Sequence, residues 1–227
     1  MILLTMIVPA HVKCPFCGGI FKTIVVISMS YGEEDSDFRP HFRGLNPMKY
    51  FVHECPYCGY IGQSREFKGV RISKEVPPDK DVKYEHRVIG DYDNPFLKLA
   101  KSLEMRGANP YDIAVAYHYA AWYYRLMYEK SENDDEKSKF KEKEKAALKE
   151  TINWFKKALE SRDVRSKERP IIIYLIGELY RLIGEFEQAL IYFEKAISES
   201  RIKWLIELAK RQMDFARKKD CKVKLFK

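Results

Sequence analysis

Four cysteines are the residues of this sequence best suited to chemistry. They fall in two copies of one short unit, Cys14-Pro15-Phe16-Cys17-Gly18 and Cys55-Pro56-Tyr57-Cys58-Gly59. Two residues between paired cysteines bring both sulfurs to one ion. Proline pre-sets the turn, and glycine accepts the positive φ that lets backbone amides point at the sulfurs. Four thiolates in a tetrahedral array suit a structural Zn²⁺. Cys14, Cys17, Cys55 and Cys58 are therefore the expected ligands of one zinc ion, with iron of the rubredoxin type as the alternative metal. His11 and His53 are candidates for a fifth ligand, but four sulfurs already close the site, and both read as strand residues. A closed site leaves no position for water or substrate. The expected role of the metal is to hold the fold, and the chain is expected not to be an enzyme.

A second stretch collects reactive groups: Asp35-Ser36-Asp37-Phe38-Arg39-Pro40-His41-Phe42-Arg43. It reads either as an acid–base or second metal site, or more plainly as a solvated loop with internal Asp–Arg pairs. The spacer between the two cysteine units exceeds the usual run of about 15–20 residues, and a polar loop at 31–47 accounts for the excess. A Gly-rich phosphate loop, a G-x-S-x-G elbow and an H-E-x-x-H helix are all absent from the sequence. The fifth cysteine, Cys221, sits among lysines near the C-terminus and reads as a free thiol.

Composition narrows the class. The chain has 227 residues, 46% of them apolar, enough for one domain or two small ones. So few cysteines in a chain this long do not make a secreted disulfide scaffold. The net charge of +8 is unevenly spread. Residues 1–94 hold twelve basic and twelve acidic side chains, whereas the last eleven residues hold six basic and one acidic, a basic tail. No run approaches the ~18 apolar residues of a transmembrane helix. Residues 1–10 are apolar but lack a basic leader region, so they read as a buried strand or packing arm rather than a signal peptide. A cytoplasmic protein without membrane association is the expectation.

The elements that must position these residues divide the chain in two, giving an α+β fold class: a zinc-ribbon-like β module with an extended linker at 1–93, and an all-α helical repeat domain at 94–227. Ile24-Val25-Val26-Ile27 predicts a buried strand within 21–30, and Met-Lys-Tyr-Phe-Val-His-Glu a second at 48–54. Residues 70–90, with Pro77-Pro78, look extended and irregular. Helices are expected at 95–106, 110–130, 138–161, 170–184, 186–199 and 201–218. Asn94-Pro95 and Asn109-Pro110 provide starts, and Gly107 ends the first helix.

An internal repeat marks the helices. Tyr124-Arg125-Leu126 recurs as Tyr180-Arg181-Leu182, and Phe155-Lys156-Lys157-Ala158-Leu159 as Phe193-Glu194-Lys195-Ala196-Ile197. The unequal offsets imply an insertion in the first copy, which the charged stretch 129–145 fits as a dispensable loop. The second copy resembles a tetratricopeptide repeat, with small residues at Gly177, Ala189 and Ala196 and with Tyr180 and Phe193 between the helices. The first copy departs from that pattern, having Ala121 for the glycine and Thr151 for the first alanine. Tyr117, Tyr119, Trp122, Tyr123 and Tyr124 crowd one helix and read as packing. Aligning Ala121 with Gly177 puts His118, Trp122 and Arg125 on one face and Tyr174, Glu178 and Arg181 on the equivalent face of the next copy. These six residues are the expected partner-binding groove, with two guanidinium groups suited to a partner's carboxylate. Pairing of the arginines with local acids such as Glu178 is the plainer alternative.

The string from Cys14 to Cys17, then Asp35-Ser36-Asp37-Phe38, Gly44-Leu45-Asn46-Pro47, Tyr50, Cys55-Pro56-Tyr57-Cys58-Gly59-Tyr60 and Ala120-Ala121-Trp122-Tyr123-Tyr124-Arg125 resembles an uncharacterised prokaryotic family of the domain-of-unknown-function 2225 type. The resemblance implies an N-terminal four-cysteine zinc module, with ligands at the four cysteines named, followed by tetratricopeptide-like helices. It implies no activity. The functional expectation is a non-enzymatic zinc-binding adaptor that holds a protein or peptide partner in the repeat groove. The alternative is a nucleic-acid-binding protein using the ribbon and the basic tail. A neutral ribbon whose four thiolates and Zn²⁺ carry a formal charge of −2 disfavours that alternative.

Overall fold

A computed structural model of the chain describes residues 4–70, 94–161 and 164–226. It is α+β, with short antiparallel strands followed by six helices. The expected irregular stretch at 70–90 lies almost wholly outside the described residues. Two compact units emerge, Met1–Gly32 with Phe42–Ser102, and Glu33–His41 with Leu103–Lys227. This division differs from a single cut between 93 and 94, because Glu33–His41 belongs with the helices.

In the first unit, β1 (Met6–Lys13) pairs antiparallel with β2 (Ile20–Ser28) on one side and with β7 (Lys68–Val70) on the other. Among the described residues the β7 pairing covers His11, Val12 and Lys13. A second hairpin joins β5 (Val52–Glu54) to β6 (Ile61–Gln63). The expected strand at 48–54 is only half strand, since Met48–Tyr50 forms a 3-10 turn. The expected buried run at 24–27 is half-buried instead, and Ile27 is exposed, because β2 presents one face to solvent. The core is small: Val12, Phe21 and Phe67 with Cys14 and Cys55, flanked by Val25 and Tyr60.

The stretch 31–47 holds β3 (Tyr31–Asp35) and β4 (Pro40–Phe42) rather than an unstructured loop. β3 lies between β4 and β8 (Leu225–Phe226) in a three-stranded sheet. At the turn, Phe38 N–H donates to the Asp35 carbonyl at 2.8 Å, and Phe38 takes φ +66°, a left-handed conformation a bulky residue adopts only when its surroundings enforce it.

Helix α1 (Pro95–Met105) carries the chain from one unit to the other. Gly107, at φ +64°, ends it as expected: its N–H donates to the Glu104 carbonyl and the Ala108 N–H to the Leu103 carbonyl. Helices α2 (Pro110–Lys130) and α3 (Asp134–Glu160) form one hairpin. Helices α4 (Arg169–Leu182) and α5 (Phe186–Glu199) form the next, and α6 (Lys203–Arg217) packs on α5. Asn109 caps α2, accepting from the Asp112 amide at 2.9 Å with Pro110 in the first turn. The charged insertion is helical, not a loop. Asn133 caps α3 four residues earlier than expected, and Asp134, Asp135 and Glu136 favour its positive N-terminus. The insertion is also partly buried, through Phe140.

The close approach expected at Gly177 is present, since a Cβ there would lie 2.9 Å from the fully buried Phe193 ring. Replacing Gly177 by Ala improves helix propensity by ~1 kcal/mol but overpacks this contact at ~1–3 kcal/mol. Gly177→Ala should lower the midpoint of thermal unfolding, and a raised midpoint would show that the hairpin can open at no cost.

Candidate metal centre and the filled groove

Each cysteine unit is the turn of a β-hairpin, 14–19 between β1 and β2 and 55–60 between β5 and β6. The two turns repeat one bonding pattern. Cys14 N–H donates to the Gly19 carbonyl and Gly18 N–H to Cys14, at 2.9 and 3.1 Å. Cys55 N–H donates to Tyr60 and Gly59 N–H to Cys55, at 2.8 and 2.9 Å. Gly18 and Gly59 take φ of +73° and +71°, as the motif requires.

The four sulfurs lie within 4.8 Å of one another. Cys14 and Cys58 are 3.8 Å apart and Cys17 and Cys55 3.7 Å, with no disulfide among them. A tetrahedron of sulfurs about 2.3 Å from a central ion has edges of about 3.8 Å. The donor set and its spacing therefore fit one tetrahedral metal ion. Cys14 and Cys55 are buried, and Cys17 and Cys58 are exposed. The Gly19 amide, 3.4 Å from the Cys17 sulfur, draws that thiol down to about 7, whereas burial pushes Cys55 up to about 12. Binding a cation there releases thiol protons, so affinity falls with pH. His11 and His53 are not ligands. His53 lies between the hydroxyls of Thr23 and Ser64 at 3.3 and 2.9 Å, and burial lowers its pKa to about 4.

The six residues expected to line an open groove converge, but on the chain itself. His118, Trp122, Arg125, Tyr174, Glu178 and Arg181 are each at most 7% exposed. Asp35, Ser36 and Asp37 occupy the face they form. Arg125 grips Asp37 with both terminal nitrogens, at 3.1 and 2.9 Å, and reaches Asp35 at 3.3 Å. The Trp122 indole N–H donates to the second Asp37 oxygen at 3.1 Å. The Ser36 hydroxyl donates to Glu178 at 2.5 Å, and the Tyr174 hydroxyl to the Ser36 carbonyl at 2.8 Å. Arg181 pairs with Glu178 at 2.8 and 2.5 Å and donates to the Asp220 and Lys222 carbonyls. His118 comes no nearer to Asp37 than 3.6 Å, an electrostatic contact rather than a hydrogen bond.

Three expectations are corrected here. The groove is filled, because a guanidinium removed from water needs a fixed carboxylate and the chain supplies one. The stretch 35–43 is not a solvated loop. An internal Asp–Arg pair of the expected kind exists, Asp35–Arg39 at 2.7 Å, but Asp35, Ser36, Asp37 and Arg39 are buried. The insertion is not idle, since Glu129 holds Arg39 through two bonds and Glu144 holds the Arg125 Nε at 2.6 Å. The basic tail joins the helical unit as well. Ser36 and Lys224 exchange backbone and hydroxyl bonds, and β8 pairs Leu225 with Asp35. Equal spacing of arginines signalled carboxylate binding in the sequence, but nothing in the spacing pointed to Asp35 and Asp37, some ninety residues away.

Burial alone would raise the Asp37 pKa. The Arg125 guanidinium and His118 outweigh it and hold the carboxyl far below the usual range. A depressed carboxylate contributes stability above its unfolded pKa of about 4, and that stability is lost as pH falls below it. Burial pushes Glu144 and Glu178 the other way. The comparison of wild type with Asp37→Asn isolates the Asp37 share. The wild type should lose stability more steeply on acidification than the variant. At neutral pH, Arg125→Ala should cost about 3–5 kcal/mol by leaving buried carboxylates unpaired. Parallel acid profiles in thermal unfolding would show that Asp37 is not held as a carboxylate.

Among the described residues, no helix is long and apolar enough to cross a membrane. No curated protein and no solved structure matches the chain. Residues 7–216 match a family described as an uncharacterized protein conserved in bacteria, and the match takes in both cysteine turns, the Asp35–Asp37 segment and all six helices almost to the end of α6. The chain belongs to that family, DUF2225.

Proposed function

We propose that this chain is a non-enzymatic adaptor, in which one structural Zn²⁺ staples the strand-rich unit and the helical unit offers a surface to a protein partner. The observation that carries the reading is the sulfur cluster. Four thiols within 4.8 Å of one another fill a tetrahedral shell and leave no position for water or substrate. Cys14 and Cys55 belong to the small core of their unit, so an ion bound there contributes folding energy directly. A reducing compartment such as the cytoplasm suits four free thiols. The partner surface lies outside the face of His118, Trp122, Arg125, Tyr174, Glu178 and Arg181, whose polar groups already serve the chain's own segment.

A second reading, nucleic-acid binding, draws on one observation. The knuckle aromatics Phe16 and Tyr57 are 77% and 47% exposed, and exposed rings serve as stacking platforms for bases. The formal charge of −2 on a four-thiolate zinc site weighs against a phosphate backbone nearby.

Purified protein should hold one zinc per chain by elemental analysis. Cys14→Ser or Cys58→Ser should release it and expose the strand-rich unit to proteolysis. Protein with reduced thiols and no transition metal would end the zinc reading. Capture of one protein partner that survives moderate salt supports the adaptor, while retention of mixed nucleic acid that salt abolishes transfers the function to the second reading.

A further inference from the structure

A cleft of about 560 Å³ opens in the helical unit beside the buried carboxylates, within the size range of small-molecule sites. Its walls divide by chemistry. Leu148, Ile183 and Val223 are among its apolar lining residues, and Lys141, Lys145 and Lys222 line it as well. The acids that also line it, Asp35, Glu129 and Glu144, are already committed to Arg39 and Arg125 at 2.6–3.3 Å. None of the three lysines has a carboxylate within 4.0 Å among the described residues. The cleft thus carries surplus positive charge beside an apolar lining, in a wall made rigid by paired arginines.

We propose that this cleft binds a small organic dianion with an apolar body, the lysines taking the charged head and Leu148, Ile183 and Val223 the body. Phosphomonoesters and dicarboxylates share that chemistry. Clustered ammonium groups attract either head, and an apolar lining rewards a carbon skeleton that inorganic phosphate lacks. None of the four clustered cysteines lines the cleft, and the titration needs no protein partner, so the proposal stands or falls independently of the adaptor reading.

The test is calorimetric titration of the zinc-loaded full chain with phenyl phosphate, benzylmalonate and inorganic phosphate. At least one of the two organic dianions should bind with one-to-one stoichiometry, more tightly than inorganic phosphate and more weakly as salt is raised. Which of the two binds assigns the head. Lys145→Ala combined with Lys222→Ala, both exposed side chains, should weaken binding about tenfold or more. Cys221 lines the same cleft and is exposed, so the bound dianion should also slow its alkylation, mapped by mass spectrometry. Failure of both organic dianions to bind at millimolar concentration overturns the proposal. So does binding that is indifferent to the lysine substitutions or that leaves Cys221 alkylation unchanged.

Discussion

The bidentate pair of Arg125 with Asp37 is the interaction on which the helical unit depends. Both side chains are removed from water, at 4% and 0% exposure, and neither is tolerable there alone. The pair works because further partners surround it: Glu144 takes the Arg125 Nε, Trp122 donates to an Asp37 oxygen, and Asp35 accepts from both Arg125 and Arg39. The same logic repeats one hairpin later, where Arg181 and Glu178 bury each other and Ser36 and the Asp220 and Lys222 carbonyls absorb what is left. Such ion pairs add little net stability, but they penalise any arrangement in which one member is missing. They therefore fix which segment lies across the helices more than they strengthen the fold.

The strand-rich unit solves a different problem. Its core has few large side chains, and two of its buried members are the thiols of Cys14 and Cys55. Two hairpin turns with identical backbone bonding deliver the four sulfurs, so the order of each turn serves both the sheet and the cluster. The aromatic residues of the knuckles divide their work. Tyr57 anchors one turn to the other through its hydroxyl on the Ile20 carbonyl at 3.0 Å, while Phe16 stacks on Tyr60 from the outside.

The cysteine turns, the six helices, their proline and asparagine starts and the Gly177 contact were all legible in the sequence, because each is set by residues close together in the chain. The start of the third helix was missed because charged residues 129–145 mask the Asn133 cap. What could not be read was long-range pairing. Spacing correctly placed Arg125 and Arg181 on matching helical faces, but a face that binds a carboxylate looks the same in sequence whether the carboxylate is foreign or its own. Asp35 and Asp37, in a Pro- and Gly-flanked polar stretch, have the composition of a surface turn. Their burial follows only from the arginines that receive them.

The C-terminal strand has a consequence for the order in which the unit can be assembled. Ser36 exchanges bonds with Lys224 across a sequence separation of 188 residues, and Asp35 pairs with Leu225. The helical hairpins need only neighbours a few tens of residues apart and can close on their own early. The Asp35–Asp37 segment, made before them, must wait for α2 and α4 to receive it, and the lock over Ser36 closes only when β8 arrives. Contacts of such range form slowly because loop closure precedes any reward. Until then Arg125 lacks its Asp35 and Asp37 partners, and the Glu178–Arg181 pair of α4 lacks Ser36 and the Asp220 and Lys222 carbonyls, so both faces meet the segment as hydrated surfaces. Without β8 the helices lack the clasp over Ser36.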